Sequence, residues 1–258
     1  VVFSATIPAG ALTFMRTALV YAPDTPDTVS YAVGLLSQAE ILALHAGLAR
    51  DAVNANNLSE AKMHVEHVLN TLYGAADPRY DDYNNDGLAD NPGDGYGLLR
   101  YSSALSATLA LAASSIDATP YIKDRVAEVR TTVGNIGVWS PLLIAKAQEV
   151  LAANSFNTAQ TPATQLASFA TRIYSGVDLN DNGQVEPIVN EGGAQVAFQS
   201  SQRTADYLPA AATGITGSIQ HRSLGSDQLF LALTNAPPLG PNEEYQIYLL
   251  DTNPQWYW

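Results

Sequence analysis

The feature that most constrains this chain is a pair of short acidic loops set 96 residues apart, counted from Asp82 to Asp178. The first runs Asp82-Tyr-Asn84-Asn-Asp86-Gly87-Leu88-Ala-Asp90, and the second Asp178-Leu-Asn180-Asp-Asn182-Gly183-Gln184-Val-Glu186. Each has side-chain oxygens at the first, third and fifth places, glycine at the sixth and an acid at the ninth. Alternate residues of a tightly turning loop point inward, so three short oxygen ligands meet at one point, and glycine takes the bend that a β-carbon would obstruct. A chain with two such loops must fold so that the elements flanking each loop tolerate a hard cation between them.

The spacing resembles the front half of an EF-hand-type loop, which implies calcium at both places, two ions per chain. The expected ligands are Asp82, Asn84, Asp86, the carbonyl of Leu88, Asp90 and Asp94 in the first loop. In the second they are Asp178, Asn180, Asn182, the carbonyl of Gln184, Glu186 and Glu191. The departure is at the twelfth place, where an EF-hand has a bidentate Glu and this chain has Gly93 and Val189. Asp94 and Glu191, each followed by glycine, are therefore read as the closing acids of a longer loop. The competing reading is two polar turns without an ion, since turns favour Asn, Asp and Gly in any case. That both loops follow a helical pair and lead into a further helix suggests an internal duplication.

Charge supports the cation reading. Acids outnumber bases 25 to 12, a net charge of −13. Ten of those acids fall in the two loop regions: Asp77, Asp81, Asp82, Asp86, Asp90 and Asp94, then Asp178, Asp181, Glu186 and Glu191. The balance argues against nucleic acid, which needs a basic footprint, and against docking on anionic lipid. The absence of cysteine excludes disulfides, thiolate catalysis, zinc-thiolate sites and iron–sulfur clusters. No apolar run is read as a membrane span. The chain starts at Val1 without a signal peptide and ends in Gln255-Trp-Tyr-Trp258, and it is read as a domain or processed fragment of a longer protein.

Between the loops the pattern is helical. After a short N-terminal strand, helices are expected around Ala11–Tyr21, from Ser30 to about Asn54, from a Ser59 cap to Tyr73, and from Leu98 to about Ile116. Further helices are expected to open at Thr119-Pro120, at Ser140-Pro141 and at Pro162, each proline standing in a first turn. A last helix follows Gly192-Gly193 through about Tyr207. Beyond residue 212 the pattern changes to strands at Ser218–Arg222, Gln228–Thr234 and Glu244–Leu250. The expected architecture is α+β, mainly α: a multi-helix bundle over residues 1–212 with two calcium-binding loops, then a small antiparallel β segment over 213–258.

Three of the four histidines fall in one expected helical hairpin. His45 lies on the apolar stripe of the first helix, and His64 and His67 stand three apart on the second. They read either as a transition-metal or bis-His haem site between the helices, or as a buried polar network in which an acid or amide satisfies His45. His221 stands alone in an expected strand. There is no nucleophile elbow, phosphate loop, dinucleotide fingerprint or His-Glu-x-x-His, so no enzyme is read from this chain.

Two wider resemblances bear on location. The segment from Gln228 to Leu250, with its Asn235-Ala-Pro-Pro-Leu-Gly-Pro241 turn and Tyr245-Gln-Ile-Tyr248, resembles the extracytoplasmic β domain of anti-sigma-K-type factors. The helical part, with His45-Ala-Gly-Leu-Ala, His64-Val-Glu-His-Val-Leu-Asn70 and Asn91-Pro-Gly-Asp-Gly95, resembles exported helical proteins of filamentous bacteria. Both resemblances imply an extracytoplasmic place. The function expected is a calcium-stabilised structural or interaction module of the cell surface, its partners being other subunits or copies of itself. The alternatives are a metal- or haem-binding accessory protein using His45, His64 and His67, and the outer sensory part of a membrane regulator.

Overall fold

The computed structural model describes residues 8–207 and the strands 216–223 and 227–234. It is mainly helical. The chain divides into two compact units; among the described residues the larger, Ser4–Leu208, holds seven α-helices, and the smaller includes the two strands. The helices are α1 (Ala9–Leu19), α2 (Tyr31–Asn54), α3 (Leu58–Tyr73), α4 (Leu98–Ser114), α5 (Pro120–Ala152), α6 (Phe156–Tyr174) and α7 (Ala194–Arg203). Short 3-10 turns lie at Pro26–Thr28 and Thr204–Tyr207.

α2 is the centre of the bundle, packing against α3, α6, α4, α7 and α1. Its inner face alternates large and small residues: Leu35, Ala39, Leu42, Ala46 and Ala49 are all fully buried. Alanines let neighbouring helices approach closely, and Gly34 is smaller still because the ring of Tyr101 occupies the place of its missing β-carbon. Over 24 residues α2 is long and apolar enough to cross a membrane, contrary to the sequence reading, with a mean hydropathy of 1.4 in its most apolar window. Of that window 44% is buried in the core, where each buried leucine contributes ~1.5–3 kcal/mol.

The caps explain where helices begin. Ser30 caps α2 and Thr119 caps α5 through their side-chain oxygens. Asn57, not Ser59, caps α3 by accepting from the Glu60 N–H. Ser155 and Thr158 form a reciprocal capping box at the start of α6, seven residues ahead of Pro162. Proline was thus a misleading start signal twice. Pro162 lies inside α6, and Pro141 lies inside a single 33-residue α5 where two helices were expected. A mid-helix proline costs ~3 kcal/mol. Beyond it, however, α5 buries Leu143, Ala147 and Val150, and the Ser140 hydroxyl donates to the Ile136 carbonyl in the disturbed turn at 2.7 Å. That burial outweighs the proline penalty.

In the smaller unit, β1 (Thr216–Ser223) pairs antiparallel with β2 (Asp227–Thr234), Thr216 opposite Thr234 and His221 opposite Leu229. The strands expected at the N-terminus and at 244–250 lie outside the described residues.

Candidate metal centres

Both acidic loops leave one helix through a glycine and enter the next through another, Gly74 to Gly97 between α3 and α4 and Gly176 to Gly193 between α6 and α7. Gly74, after α3, lies so close to Gly97 that a β-carbon on either would strike the other strand of backbone. Gly176 and Gly193 form the same neck after α6. The Ala75 N–H donates to the Gly95 carbonyl at 2.8 Å, and the Val177 N–H to the Glu191 carbonyl at 2.9 Å. The two loops are thus built alike at their base.

They are also built alike inside. Asp82 accepts from the N–H groups of Asp86 and Gly87 at 3.2 and 2.9 Å, and Asp178 from those of Asn182 and Gly183 at 3.3 and 2.7 Å. The Asn84 side-chain amide oxygen takes the Asp86 N–H, and that of Asn180 the Asn182 N–H. Asp86 takes the Leu88 N–H, and Asn182 the Gln184 N–H. Asn85 and Asp181 are left-handed at φ 62° and 56°, as are Gly87 and Gly183 at 98° and 83°. This shared backbone turns the first, third and fifth side chains toward one another. Leu88 and Gln184 have exposed side chains, so what they offer the loop is the main-chain carbonyl.

The loops differ in the acid that closes them. In the second loop Glu191, fully buried, accepts from the N–H of Glu186 at 3.1 Å and from the amide of Asn180 at 3.4 Å. Glu186 in turn accepts from the amides of Asn180 and Asn182. In the first loop Asp94 does not play this part. Its two oxygens take the Tyr96 N–H and the Tyr101 hydroxyl, at 2.9 and 2.6 Å. The corresponding carboxylate is Glu66, fully buried on α3, which takes the N–H groups of Asp90 at 2.7 Å and Asn84 at 3.0 Å. Burial raises the Glu66 pKa; the two backbone N–H groups lower it in part, and the neighbouring charges of Asp82 and Asp86 raise it again. A buried carboxyl held among acids of its own sign is the electrostatic setting that a divalent cation relieves.

Why loop one takes its acid from a helix can be read from the backbone. Gly97 and Gly193 each stand seven residues past the ninth-place acid, so Gly95 occupies the place of Glu191. Gly95 has φ of 83°, where a glutamate would be strained. At Gly93, the twelfth place, a β-carbon would meet the Gln38 side-chain oxygen, which would have to move to admit one.

Each loop is also pinned by a buried asparagine from a helix. Asn70 of α3 donates to the carbonyls of Asp81 and Asp90 and accepts from the Asp81 N–H. Asn135 of α5 donates to the carbonyls of Ile188 and Gly192 and accepts from the Asn190 N–H. Sequence reasoning missed Glu66, Asn70 and Asn135. The signal available was polarity out of place: asparagine is a poor mid-helix residue, and Glu66 and Asn70 stand one turn apart beside the apolar stripe of α3.

The three histidines come together. His45 Nδ1 lies 3.1 Å from His64 Nδ1 and 3.0 Å from His67 Nδ1. One ring nitrogen from each falls within 4.8 Å of the others. The partners of His45 are thus imidazoles, not the acid or amide that the polar-network reading expected. His64 is buried, and His45 and His67 are half-buried. Burial, then the neighbouring His67 and His64, push the His45 pKa down to about 4. Burial also lowers His64, helped by His67 and opposed by Glu60; for His67 burial lowers the pKa against the opposing charges of Asp90 and Asp86.

Comparisons with protein-family models, with curated proteins and with solved structures find no match to this chain.

Proposed function

We propose that the helical unit is a non-enzymatic, calcium-stabilised structural or interaction module that works outside the cytoplasm as a subunit of a cell-surface assembly. The observation that carries this reading is the repetition of one hydrogen-bond scheme in two loops of different sequence, each ending on a fully buried glutamate, Glu66 or Glu191. Calcium takes six to eight oxygen ligands, and each loop carries carboxylates, side-chain amide oxygens and main-chain carbonyls, the oxygen types such a shell uses. Outside the cell calcium is abundant, so a weak site stays filled and stabilises the folded state by mass action. The ion then acts as a permanent tie between helix ends and not as a signal. The C-terminal strands, resembling an anti-sigma-type β domain, give such a module edges for pairing with other subunits or with copies of itself.

The test is calcium stoichiometry. Chelator-stripped protein titrated calorimetrically with calcium is expected to bind two ions per chain and to melt at higher temperature when loaded. Heat no greater than that of a buffer control, with melting indifferent to calcium, would overturn the reading.

A further inference from the structure

We propose that His45, His64 and His67 form a site for one divalent first-row transition ion, zinc foremost, which ties α2 to α3 independently of the calcium loops. Protons alone satisfy the cluster poorly. His45 Nδ1 faces two other Nδ1 atoms at hydrogen-bond distance, yet one ring nitrogen has either one hydrogen to give or one lone pair to share. Whichever tautomers are drawn, a contact is left between nitrogens that compete for a single proton or lone pair. An ion at the focus meets all three lone pairs at once.

The geometry suits such an ion. Nitrogens bound to tetrahedral zinc at ~2.0–2.1 Å stand ~3.3 Å from one another. Two of the cluster's separations, 3.0 and 3.1 Å, lie within a few tenths of an ångström of that value, and one ring nitrogen from each histidine falls within 4.8 Å of the others, so modest ring rotations bring all three onto one ion. The helices fix the rings: His64 and His67 share a side of α3, and His45 approaches from the helix that packs most closely against it. Glu60, outside the calcium loops, adds a negative charge beside His64. With His45 and His67 half-exposed, the outer side offers an entry path and room for water as fourth ligand. Three imidazoles and an open position favour zinc, copper, nickel or cobalt over calcium or magnesium.

The experiment keeps calcium saturating throughout, so that failure of the calcium reading cannot masquerade as failure here. Metal-stripped protein is titrated with cobalt(II), followed by its visible ligand-field absorption, and the cobalt is then displaced with zinc(II). Expected are one cobalt per chain with the intense band of a four-coordinate site, full displacement by one zinc, and an X-ray absorption fit with three imidazoles. His45→Ala and His67→Ala should each weaken zinc more than the ~10–100-fold that loss of an outer-shell partner costs, while His221→Ala leaves it unchanged. Should His64→Ala fail to melt cooperatively, the half-exposed His67→Gln carries the test. Absence of stoichiometric cobalt binding, or zinc affinity that survives the folded His45→Ala and His67→Ala variants, would overturn the proposal.

Discussion

The two acidic loops reach the same arrangement by different routes. The second is self-contained: its closing acid, Glu191, comes from its own chain segment, and only the Asn135 clamp reaches in from α5. The first borrows its closing acid, Glu66, and its clamp, Asn70, from α3, the helix that precedes it. The first loop also begins eight residues past its neck glycine, against two in the second, and this extra length accommodates the turn in which Arg79 pairs with Asp77. The difference teaches that what repeats is the position of a carboxylate against the ninth-place N–H, not the residue that supplies it. Loop one is therefore tied to the integrity of α3, and through α3 to the histidine cluster, while loop two is more nearly a local device.

The largest effect tests what the loops share. If each ion is held at ~100-fold above its dissociation constant, each contributes ~2.7 kcal/mol, and chelation should lower Tm by roughly 10–20 °C for a body of this size. Differential scanning calorimetry with and without chelator measures it. A fall of a degree or two would mean that the loops hold their shape by backbone hydrogen bonds alone.

Next come the clamps. Asn70→Ala and Asn135→Ala each remove three side-chain hydrogen bonds to loop backbone groups and should each cost ~2–4 kcal/mol in urea unfolding, at ~0.5–1.5 kcal/mol per hydrogen bond. Asn70→Ala is expected to weaken zinc or cobalt binding at the histidines as well, because it loosens the loop-bearing side of α3. Asn135→Ala should not, and equal effects on that site would break the asymmetry.

Conservative removal of the closing charge is smaller and more diagnostic. Glu66→Gln and Glu191→Gln should each weaken one of two calcium sites by ~10-fold or more, about 1.4 kcal/mol, leaving the other site untouched. Asp94→Asn should leave both affinities alone. If calorimetry instead showed Asp94→Asn abolishing a site and Glu66→Gln sparing it, the first loop would close on its own segment as the second does.

The smallest effect concerns the exit of the first loop, which a tyrosine network holds. Asp24 accepts the hydroxyls of Tyr31 at 2.6 Å and Tyr96 at 2.8 Å, beside the Tyr101–Asp94 pair. Burial raises its pKa, but the two hydroxyls, its own backbone and Arg100 together hold it below the ordinary 3.8. A depressed carboxylate gives stability that is complete above its unfolded pKa and lost as pH falls through its folded value. Acid titration of wild type against Asp24→Asn should therefore diverge above pH ~4 and converge below it.

Much of this architecture is legible in the residues alone. Periodicity locates α2, α3 and α4 within a few residues, because apolar stripes at helical spacing have few other uses. The Asp/Asn/Gly spacing locates both loops, because the tight turn admits so few residue types at each place. The constant offset of 96 even carried a warning about the closing acids, since Asp94 falls on Asn190 under it and not on Glu191. Proline was the weak signal. Whether Pro141 ends a helix or is absorbed depends on how much apolar surface lies beyond it, a sum over packing partners that no local window contains.

By itself, then, the sequence determined the elements that depend on near neighbours: helices α2, α3 and α4, the openings of α2 at Ser30 and α5 at Thr119, the glycines that end α3 and α6, and the spacing of the first, third and fifth oxygens of each loop. Tertiary structure alone decided which distant groups completed them. Glu66 became the closing acid because α3 runs beneath the first loop, and Asn135 a clamp because α5 runs beneath the second. His45 joined His64 and His67 because α2 packs against α3 with those faces in register. The physical reason is one of range. Backbone hydrogen bonding and turn sterics act over a few residues, whereas burial of a carboxylate or convergence of three imidazoles depends on how whole helices are placed against one another.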